Sequence, residues 1–479
     1  MNEDDLCYLT ASEALILFRK RSLKPSELLA ALKKRAEKIN PAINCLADQY
    51  WDEAMAMARA ADARYGKRGS RLRPLEGVPL AVKDAQRVKG RRTTHGSLIF
   101  MDAASDDHSD PMIERLEKAG AIIFTRTTTP EFCLTGTTHS RAWGVTRNPW
   151  APAWGPGGSS GGSGAALAAG LTTLATGTDI GGSIRIPAGC CGVVGFKPPH
   201  GRNPDGPPAN FDRFNHCGPM TRSLADAALM QSVTAGPHPL DHDSLRTRVK
   251  LPVKPASIKG MKIAWSLDFG YVNLDADVRR NTLLAIDQFR DLGAIVEEVD
   301  LGWTSETDSD CLHWYNMMHF GRQTAWHQKT SAHLMSDYAL KMAAAVNRNS
   351  TLDDVHKPWA RAHRMYQTLG PVLATHDVFI CPTNNVPSVK ADHDPWDENF
   401  TVNGRKADPE YGWVMTHPFN MLHNLPVLSL PSGFASSGVP TGIQIVARPW
   451  DDARVFKAGL AYEKAVGGWY GDRKRRPRL

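Results

Sequence analysis

The chain has 479 residues, of which 42% are apolar and 22% are charged, and its formal net charge is +7. Base rates for this length allow two or three domains around a large core, and so mild a charge does not predict a nucleic-acid-binding surface. The acidic residues 1–5 are followed by no long apolar stretch, so we expect neither a signal peptide nor a membrane span.

Residues 1–70 have the periodicity of helices. Thr10 and Glu13 are spaced as a capping box that opens one helix. Ser26, directly after Pro25, is predicted to cap the next helix, which carries a stripe of leucines and alanines. We expect this segment to pack on the core of the protein and to take no part in chemistry.

Residues 71–302 alternate between apolar runs typical of strands and amphipathic runs typical of helices, which predicts an α/β sheet flanked by helices. One strand ends at Lys83. A helix over 110–119 and a strand over 121–125 follow, and later a helix over 275–292 lies between strands over 261–265 and 294–299. A lysine that ends a buried strand loses its charge easily and can then act as a base, although most lysines after strands are solvated.

Two serine-containing glycine turns, over 157–163 and 179–185, enclose a helix predicted over 165–170 and a strand predicted over 171–176. A further turn is expected at Cys190 and Cys191. Glycine tolerates positive φ and lets backbone N–H groups approach a ligand closely. Two such turns could therefore face each other across a pocket.

Three interpretations compete for this glycine-rich stretch. A flexible linker would have polar flanks, whereas these flanks are apolar. A phosphate-binding loop would carry a G-x-x-x-x-G-K-[ST] or spaced G-x-G-x-x-G string, and neither occurs here. A site for acyl transfer needs a nucleophile, a base and oxyanion donors, for which Ser183, Lys83 and the N–H groups of Ile180, Gly181 and Gly182 are candidates.

Residues 303–375 are rich in helix formers, aromatic residues and methionine, including Trp303, Phe320, Tyr338 and Met342. Such a cluster is more often simple core. As a cover over the pocket, which is the role we assign to it, the segment predicts a bulky and partly apolar substrate. Residues 376–479 return to sheet material, with strands over 378–381, 427–430 and 443–447 and a helix over 451–466. We interpret the basic end, 473–478, as a short solvated tail rather than a nucleic-acid arm.

The eight cysteines are scattered without Cys-x-x-Cys pairs, which is typical of reduced thiols in the cytoplasm and not of disulfides or zinc sites. Four histidines, at positions 313, 319, 327 and 333, have no H-E-x-x-H string or tight carboxylate pairing beside them. We therefore expect no metal and no other cofactor.

Three strings, GVPLAVKD, GGSSGGSGAA and GTDIGGSIRIPAGCCGVVGFKP, occur in this order and closely resemble the motifs of the amidase signature family of serine hydrolases. The resemblance runs through nearly the whole chain and implies one amidase domain, built on a central twisted mixed sheet between helices. It further implies a Ser-cisSer-Lys triad, with Ser183 as nucleophile, Ser159 as relay and Lys83 as base.

The same resemblance assigns further residues around the triad. The oxyanion hole would consist of the backbone N–H groups of Ile180, Gly181, Gly182 and Ser183. A cis peptide bond is expected between Gly158 and Ser159. Supporting roles fall to Gly158, Ser160, Asp179 and Arg185, the last two as an ion pair that holds the second turn, and substrate contacts fall to Cys133, Leu134 and Thr135.

The implied activity is hydrolysis of amide C–N bonds, with carbamates and esters as further substrates, and the aromatic region favours aryl or apolar groups. Two alternatives stay open: the A subunit of a glutamine-dependent tRNA amidotransferase, and a catalytically silent binding protein. Against the first, Thr129 to Phe132 look more like the free-standing amidases, since that subunit commonly has an acidic residue in place of Pro130. We expect a small-molecule substrate, no nucleic-acid or membrane partner and a cytoplasmic location, with a homodimer as the candidate assembly.

Overall fold

The computed structural model describes residues 2–314, 320–349 and 351–479. Its helices are α1 (Glu3–Cys7), α2 (Ala11–Arg19), α3 (Pro25–Ile43), α4 (Trp51–Gly66), α5 (Pro111–Lys118), α6 (Gly161–Ala168), α7 (Arg185–Cys191), α8 (Leu224–Thr234), α9 (Ala276–Asp291), α10 (Glu306–Trp314), α11 (Gly321–Ser331), α12 (Asp337–Asn349), α13 (Leu352–Thr375), α14 (Pro418–Met421) and α15 (Asp452–Ala465). Its strands are β1 (Leu46–Gln49), β2 (Pro79–Lys83), β3 (Ile122–Thr127), β4 (His139–Ser140), β5 (Gly144–Val145), β6 (Leu174–Asp179), β7 (Val194–Lys197), β8 (His216–Thr221), β9 (Lys262–Trp265), β10 (Ile295–Glu298), β11 (Val378–Pro382), β12 (Thr401–Val402), β13 (Arg405–Lys406), β14 (Val427–Phe434) and β15 (Pro440–Val446).

Eleven of these strands form one mixed sheet in the order β1-β3-β2-β6-β8-β7-β14-β15-β11-β9-β10. Parallel pairs join β2 to β3 and β6, and β9 to β10 and β11. The other neighbours are antiparallel. The predicted fold class, a mixed α/β sheet with helices, is confirmed.

Helices cover both faces of the sheet, as the strand β2 shows. Successive side chains of a strand point to opposite faces. Leu80 and Val82 pack into a core shared with α2, α3 and α5, whereas Ala81 packs into a second core shared with α4, α6 and α7. Lys83, two residues after Ala81, therefore points to the face that carries α6.

The helix–strand unit around the serines is shifted relative to its prediction. Helix α6 begins at Gly161, four residues before its predicted start. Strand β6 begins at Leu174, three residues after its own predicted start. Helix α6 contains glycines because the packing leaves no room for a side chain: an added Cβ on Gly162 would lie 2.4 Å from the backbone nitrogen of Thr128. The turn predicted at Cys190 and Cys191 is wrong, since both residues end α7.

The N-terminal segment has one of its two predicted helix caps and contains one strand that was not predicted. The capping box of Thr10 and Glu13 is confirmed. Ser26, by contrast, is not a cap: Lys24 takes that position, and the Ser26 hydroxyl donates a hydrogen bond to Asp62 at 2.5 Å. The edge strand β1, which pairs antiparallel with β3, was not predicted, because four residues carry too little periodicity.

The basic C-terminal residues are not simply solvated, which corrects the sequence interpretation. Arg473 and Arg476 both form ion pairs with Asp5, the first being the closer, and Arg475 donates to the carbonyls of Val466 and Gly468 at 2.8 Å. The C-terminal segment thereby ties α1 to the end of α15.

The described part of residues 303–375 contains α10 to α13, and Trp303, Phe320, Tyr338 and Met342 belong to one buried apolar core. Residues 315–319, which include His319 and part of the segment rich in aromatic residues and methionine, lie outside the described residues. Among the helices that the structure describes, none has the length and apolar character needed to span a membrane. In the same described part, no group of three or more His, Cys, Asp or Glu side chains is arranged to hold a metal ion.

Candidate active site

Two neighbouring parallel strands bring the predicted residues together. Strand β2 ends at Lys83 and β6 ends at Asp179, and the pairing of Leu80 with Leu174 aligns the two strands. Because the carboxyl ends of adjacent parallel strands lie at one edge of a sheet, Lys83 and the loop after Asp179 meet there.

Lys83 lies entirely inside the protein and contacts two hydroxyl groups. Its Nζ is 2.6 Å from the Oγ of Ser159 and 2.8 Å from the Oγ1 of Thr178. Burial lowers the pKa of Lys83, and the Cys133 thiol and the Asp179 carboxylate offset part of that shift. The neutral amine that a base needs is therefore favoured by the position of this side chain.

Ser159 and Ser160 directly precede α6 and are fully buried. The peptide bond between Gly158 and Ser159 is cis, as the sequence resemblance implied. The N–H of Ser160 donates to the carbonyl of Ser183 at 3.2 Å, and its hydroxyl donates to the carbonyl of Thr178 at 3.4 Å. Ser160 thus joins the two glycine turns.

Ser183 is the more accessible serine, with 8% of its surface exposed, and it lines a cavity together with Cys133, Leu134 and Thr135. Within the described ranges, no hydrogen bond joins its hydroxyl to that of Ser159. The N–H groups of Gly181, Gly182 and Ser183 have no acceptor among the described residues, and Gly182 adopts a φ of +126°. Donors in this arrangement can stabilise a negatively charged oxygen beside Ser183.

A buried ion pair holds the turn that carries Ser183. Arg185 donates to both carboxylate oxygens of Asp179 at 2.9 Å, and the N–H of Ile184 donates to the same carboxylate. The remaining Arg185 donors bond to Asn420 at 2.6 Å, to Gln444 at 2.7 Å and to the carbonyl of Thr416 at 2.8 Å. The ion pair expected between Asp179 and Arg185 is therefore present.

The sequence profile described as Amidase matches residues 27–456. The chain belongs to the amidase signature family. It is 33% identical to an acylamidase of Rhodococcus erythropolis, with 98% of each chain covered. It is 30% identical to the A subunit of a glutamyl-tRNA(Gln) amidotransferase of Geobacter metallireducens, with 97% of this chain and 99% of the relative covered. Among solved structures, a bacterial aryl acylamidase of the same family matches with a TM-score of 0.88 and 28% identity, covering 96% of each chain.

Several residues of this amidase signature protein contact the site although the sequence did not single them out for it. Thr178 contacts Lys83, and Asn420 contacts both Asp179 and Arg185. Gln444 lies in β15, where the sequence predicted a strand over 443–447 but no role for this side chain. Glu410 carried no signal, because its partner Gly136 is 274 residues away in the chain.

A second and larger cavity adjoins the one at Ser183 and shares Leu134, Thr135 and Glu410 with it. Tyr338 and Met342 of α12 and Trp396 line the larger cavity, and Phe320 lines the smaller one. Side chains from 303–375 are therefore part of both walls, and the walls are largely apolar and aromatic.

Proposed function

We propose that this protein hydrolyses amide C–N bonds through an acyl-enzyme on Ser183, with Ser159 as proton relay and Lys83 as base. The observation that carries the proposal is the 2.6 Å contact between the Lys83 Nζ and the Ser159 Oγ, buried beside the turn of Ser183. A neutral amine held against a hydroxyl inside the protein is the arrangement that activates a serine without histidine.

The proposed reaction starts with proton transfer. The Ser159 hydroxyl passes its proton to the neutral Lys83 amine and takes the proton of Ser183, whose Oγ bonds to the substrate carbonyl carbon. Ser159 then regains a proton from the Lys83 ammonium and gives one to the substrate nitrogen, and the C–N bond breaks. Water attacks the resulting ester by the same proton path and releases the acid.

The proposed oxyanion hole is the loop between β6 and α7. As the carbonyl carbon becomes tetrahedral, its oxygen gains negative charge, which the N–H groups of residues 180–183 would stabilise. Removal of one such donor typically costs about a hundred- to a thousandfold in rate. The Asp179–Arg185 pair supports this role because it holds the loop in one conformation before the substrate binds.

The proposed substrates are amides with an apolar or aryl group, and carbamates and esters that offer the same carbonyl. The apolar and aromatic walls of the two cavities support this class, as does the likeness to an acylamidase and an aryl acylamidase. We propose Cys133, Leu134 and Thr135 as substrate contacts, because all three share the cavity of Ser183.

A second candidate function is that of the A subunit in a tRNA amidotransferase, favoured by full-length identities of 30–31% to relatives with that name. It predicts that partner subunits or tRNA co-purify with the native protein. The hydrolase predicts a chain that is active alone, as a monomer or homodimer, which light scattering of the purified active protein measures.

The experiment for the proposed hydrolase is intact-protein mass measurement after brief mixing with p-nitroanilides, aryl carbamates and activated esters. We expect a transient acyl adduct that peptide mapping places on Ser183, together with release of the amine. Ser183→Ala should abolish the adduct. An adduct on another residue would refute the assignment, and no adduct with no released amine would favour the amidotransferase function.

A further inference from the structure

Glu410 lies at the boundary between the two cavities with one buried carboxyl oxygen unused. Of the three residues common to both cavities, Leu134 is apolar and the Thr135 hydroxyl donates to the carbonyl of Thr137 at 3.0 Å. The Oε1 of Glu410 accepts the N–H of Gly136 at 2.7 Å, whereas its Oε2 has no partner in the described part of the chain. Only 8% of Glu410 is exposed.

A buried polar atom without a partner costs free energy, and in a residue that lines a cavity a ligand atom can offset that cost by bonding to it. Glu410 also forms no ion pair with any described cation that would stabilise its charged form. A neutral carboxyl group has one oxygen that accepts and one O–H that donates. Since Oε1 accepts from Gly136, the proton of a neutral Glu410 belongs on Oε2, the oxygen without a partner among the described residues.

We propose that Glu410 is a specificity-determining residue, whose Oε2–H donates a hydrogen bond to an uncharged oxygen or nitrogen acceptor of the substrate. The favoured amides would then carry such an acceptor close to the scissile bond, in addition to their apolar groups. This inference rests on the proposed function, because the substrate reaches Glu410 from the cavity of Ser183.

The electrostatic surroundings support a neutral carboxyl group. Burial, opposed by the hydrogen bond from Gly136 and reinforced by the Asp408 carboxylate, raises the pKa of Glu410 to about 8. The titratable groups that line the same cavities are Cys133, Tyr338, Glu398, Lys406, Asp408 and Tyr411. Two of these are carboxylates and only one is a lysine, so the balance around Glu410 opposes its ionisation.

The test uses pairs of amides that differ only by an ether oxygen in place of a methylene. Methoxyacetanilide and butyranilide form the acyl-side pair, and para-methoxyacetanilide and para-ethylacetanilide form the amine-side pair. We expect kcat/KM to favour the ether in at least one pair by about threefold to tenfold, the effect of one net hydrogen bond. Glu410→Met should remove that preference.

Glu410→Gln is the conservative variant, because its amide can accept from Gly136 and donate to the ether. We expect it to restore the preference and to make it independent of pH. In the native protein the donor is lost as pH rises through the Glu410 pKa of about 8, so the preference should fall above that pH. Glu463→Met is the matched control, since Glu463 also accepts a backbone N–H, from Leu224 at 3.0 Å, but lines a different cavity.

The outcomes separate this inference from the proposed function. Amide turnover without ether preference in either pair would overturn the role of Glu410 and leave the hydrolase standing. An ether preference that survives in Glu410→Met, verified as folded by thermal unfolding, would also overturn the role of Glu410 and leave the hydrolase standing. Absence of turnover and of any acyl adduct across all four anilides would instead count against the hydrolase itself.

Discussion

Lys83 shows how the position of one residue changes its chemistry. A lysine in water stays protonated at neutral pH, but this one ends a buried strand and contacts only protein, so burial lowers its pKa. The chain contains a second lysine in a similar state: Lys197 is fully buried, its pKa is also lowered by burial, and it donates to the carbonyl of Leu425 at 2.9 Å. Burial alone therefore does not identify a base, and the contact of Lys83 with Ser159 makes the difference.

The first prediction compares an amide with an ester of the same acyl group. Lys83→Ala should lower kcat/KM for p-nitroacetanilide by about a hundred- to ten-thousandfold. The loss for p-nitrophenyl acetate should be much smaller, because nitrophenolate leaves without a proton. Steady-state kinetics on both substrates gives the comparison, and equal losses would contradict the relay role of Ser159.

Lys197→Met is the control for this prediction. It removes an equally buried lysine outside the candidate site, so kcat/KM should change by the same factor for both substrates per folded molecule.

In the native enzyme, kcat/KM for the anilide should rise as pH rises through the Lys83 pKa, since the neutral amine is the active form and burial places that pKa below the usual lysine range.

At the scale of elements, the loop from β6 to α7 is held by an ion pair whose partners are six residues apart and fully buried. Asp179 ends the strand, Arg185 begins the helix, and Ser183 lies between them. Asn420 and Gln444 reach the same guanidinium from distant parts of the chain. This convergence explains how a glycine-rich turn can keep one conformation.

The second prediction concerns that pair. Asp179→Asn should lower the free energy of unfolding by about 3–5 kcal/mol, because it leaves the Arg185 charge buried without compensation. It should also lower kcat, since the loop of Ser183 loses its support. Urea unfolding and single-turnover kinetics measure the two effects.

The control uses the ion pair of Arg202 and Asp452. This pair is also buried, its N–O distance is 2.9 Å, and it lies outside the candidate site. Asp452→Asn should destabilise the protein without changing kcat of the folded fraction. Arg185 and its hydrogen bonds hold the Asp179 pKa below its usual range. The pair therefore stabilises the native protein above about pH 4, and that stabilisation is lost as the pH falls through the lowered pKa. A kcat loss in Asp452→Asn equal to that in Asp179→Asn would reduce the effect to general destabilisation.

At the scale of the whole molecule, ion pairs join the first helix to the C-terminal segment. Asp5 in α1 pairs with Arg473 and Arg476, and these arginines hold the Asp5 pKa at about 2. Arg476 also lies over the ring of Tyr8, which stacks on Tyr470 at a centroid distance of 5.9 Å. The basic tail is therefore anchored on the protein surface at α1 rather than forming a free arm.

The third prediction follows from that contact. Asp5→Asn should lower the urea midpoint slightly, and the decrease should shrink in 1 M salt, where the screening length is only about 3 Å. Glu3→Gln, which breaks the exposed pair with Lys34, is the control and should change the midpoint less. A midpoint that is insensitive to Asp5→Asn at low salt would mean that the ring contacts alone hold the tail.

Most strands and helices of the sheet were predictable because periodicity is local. Strand β2, which ends at Lys83, and helix α5 lie where the periodicity predicted them, whereas α6 begins earlier than predicted. Glycine has low helix propensity, so its sequence around Gly161 favours a turn. The tertiary neighbours leave no space for a side chain, so the helix carries glycine at these positions in spite of that propensity.

By itself, the sequence determined the family and the fold class, and it nominated Lys83, Ser159, Ser183, Asp179 and Arg185 as candidate site residues, because short ordered strings carry all of them. The tertiary structure alone decided which groups surround them. Asn420 and Gln444 contact Arg185 from 235 and 259 residues later in the chain, and Glu410 meets Gly136 across 274 residues. No local pattern encodes such contacts, since they arise from the order of strands in the sheet and from the loops packed at its edge.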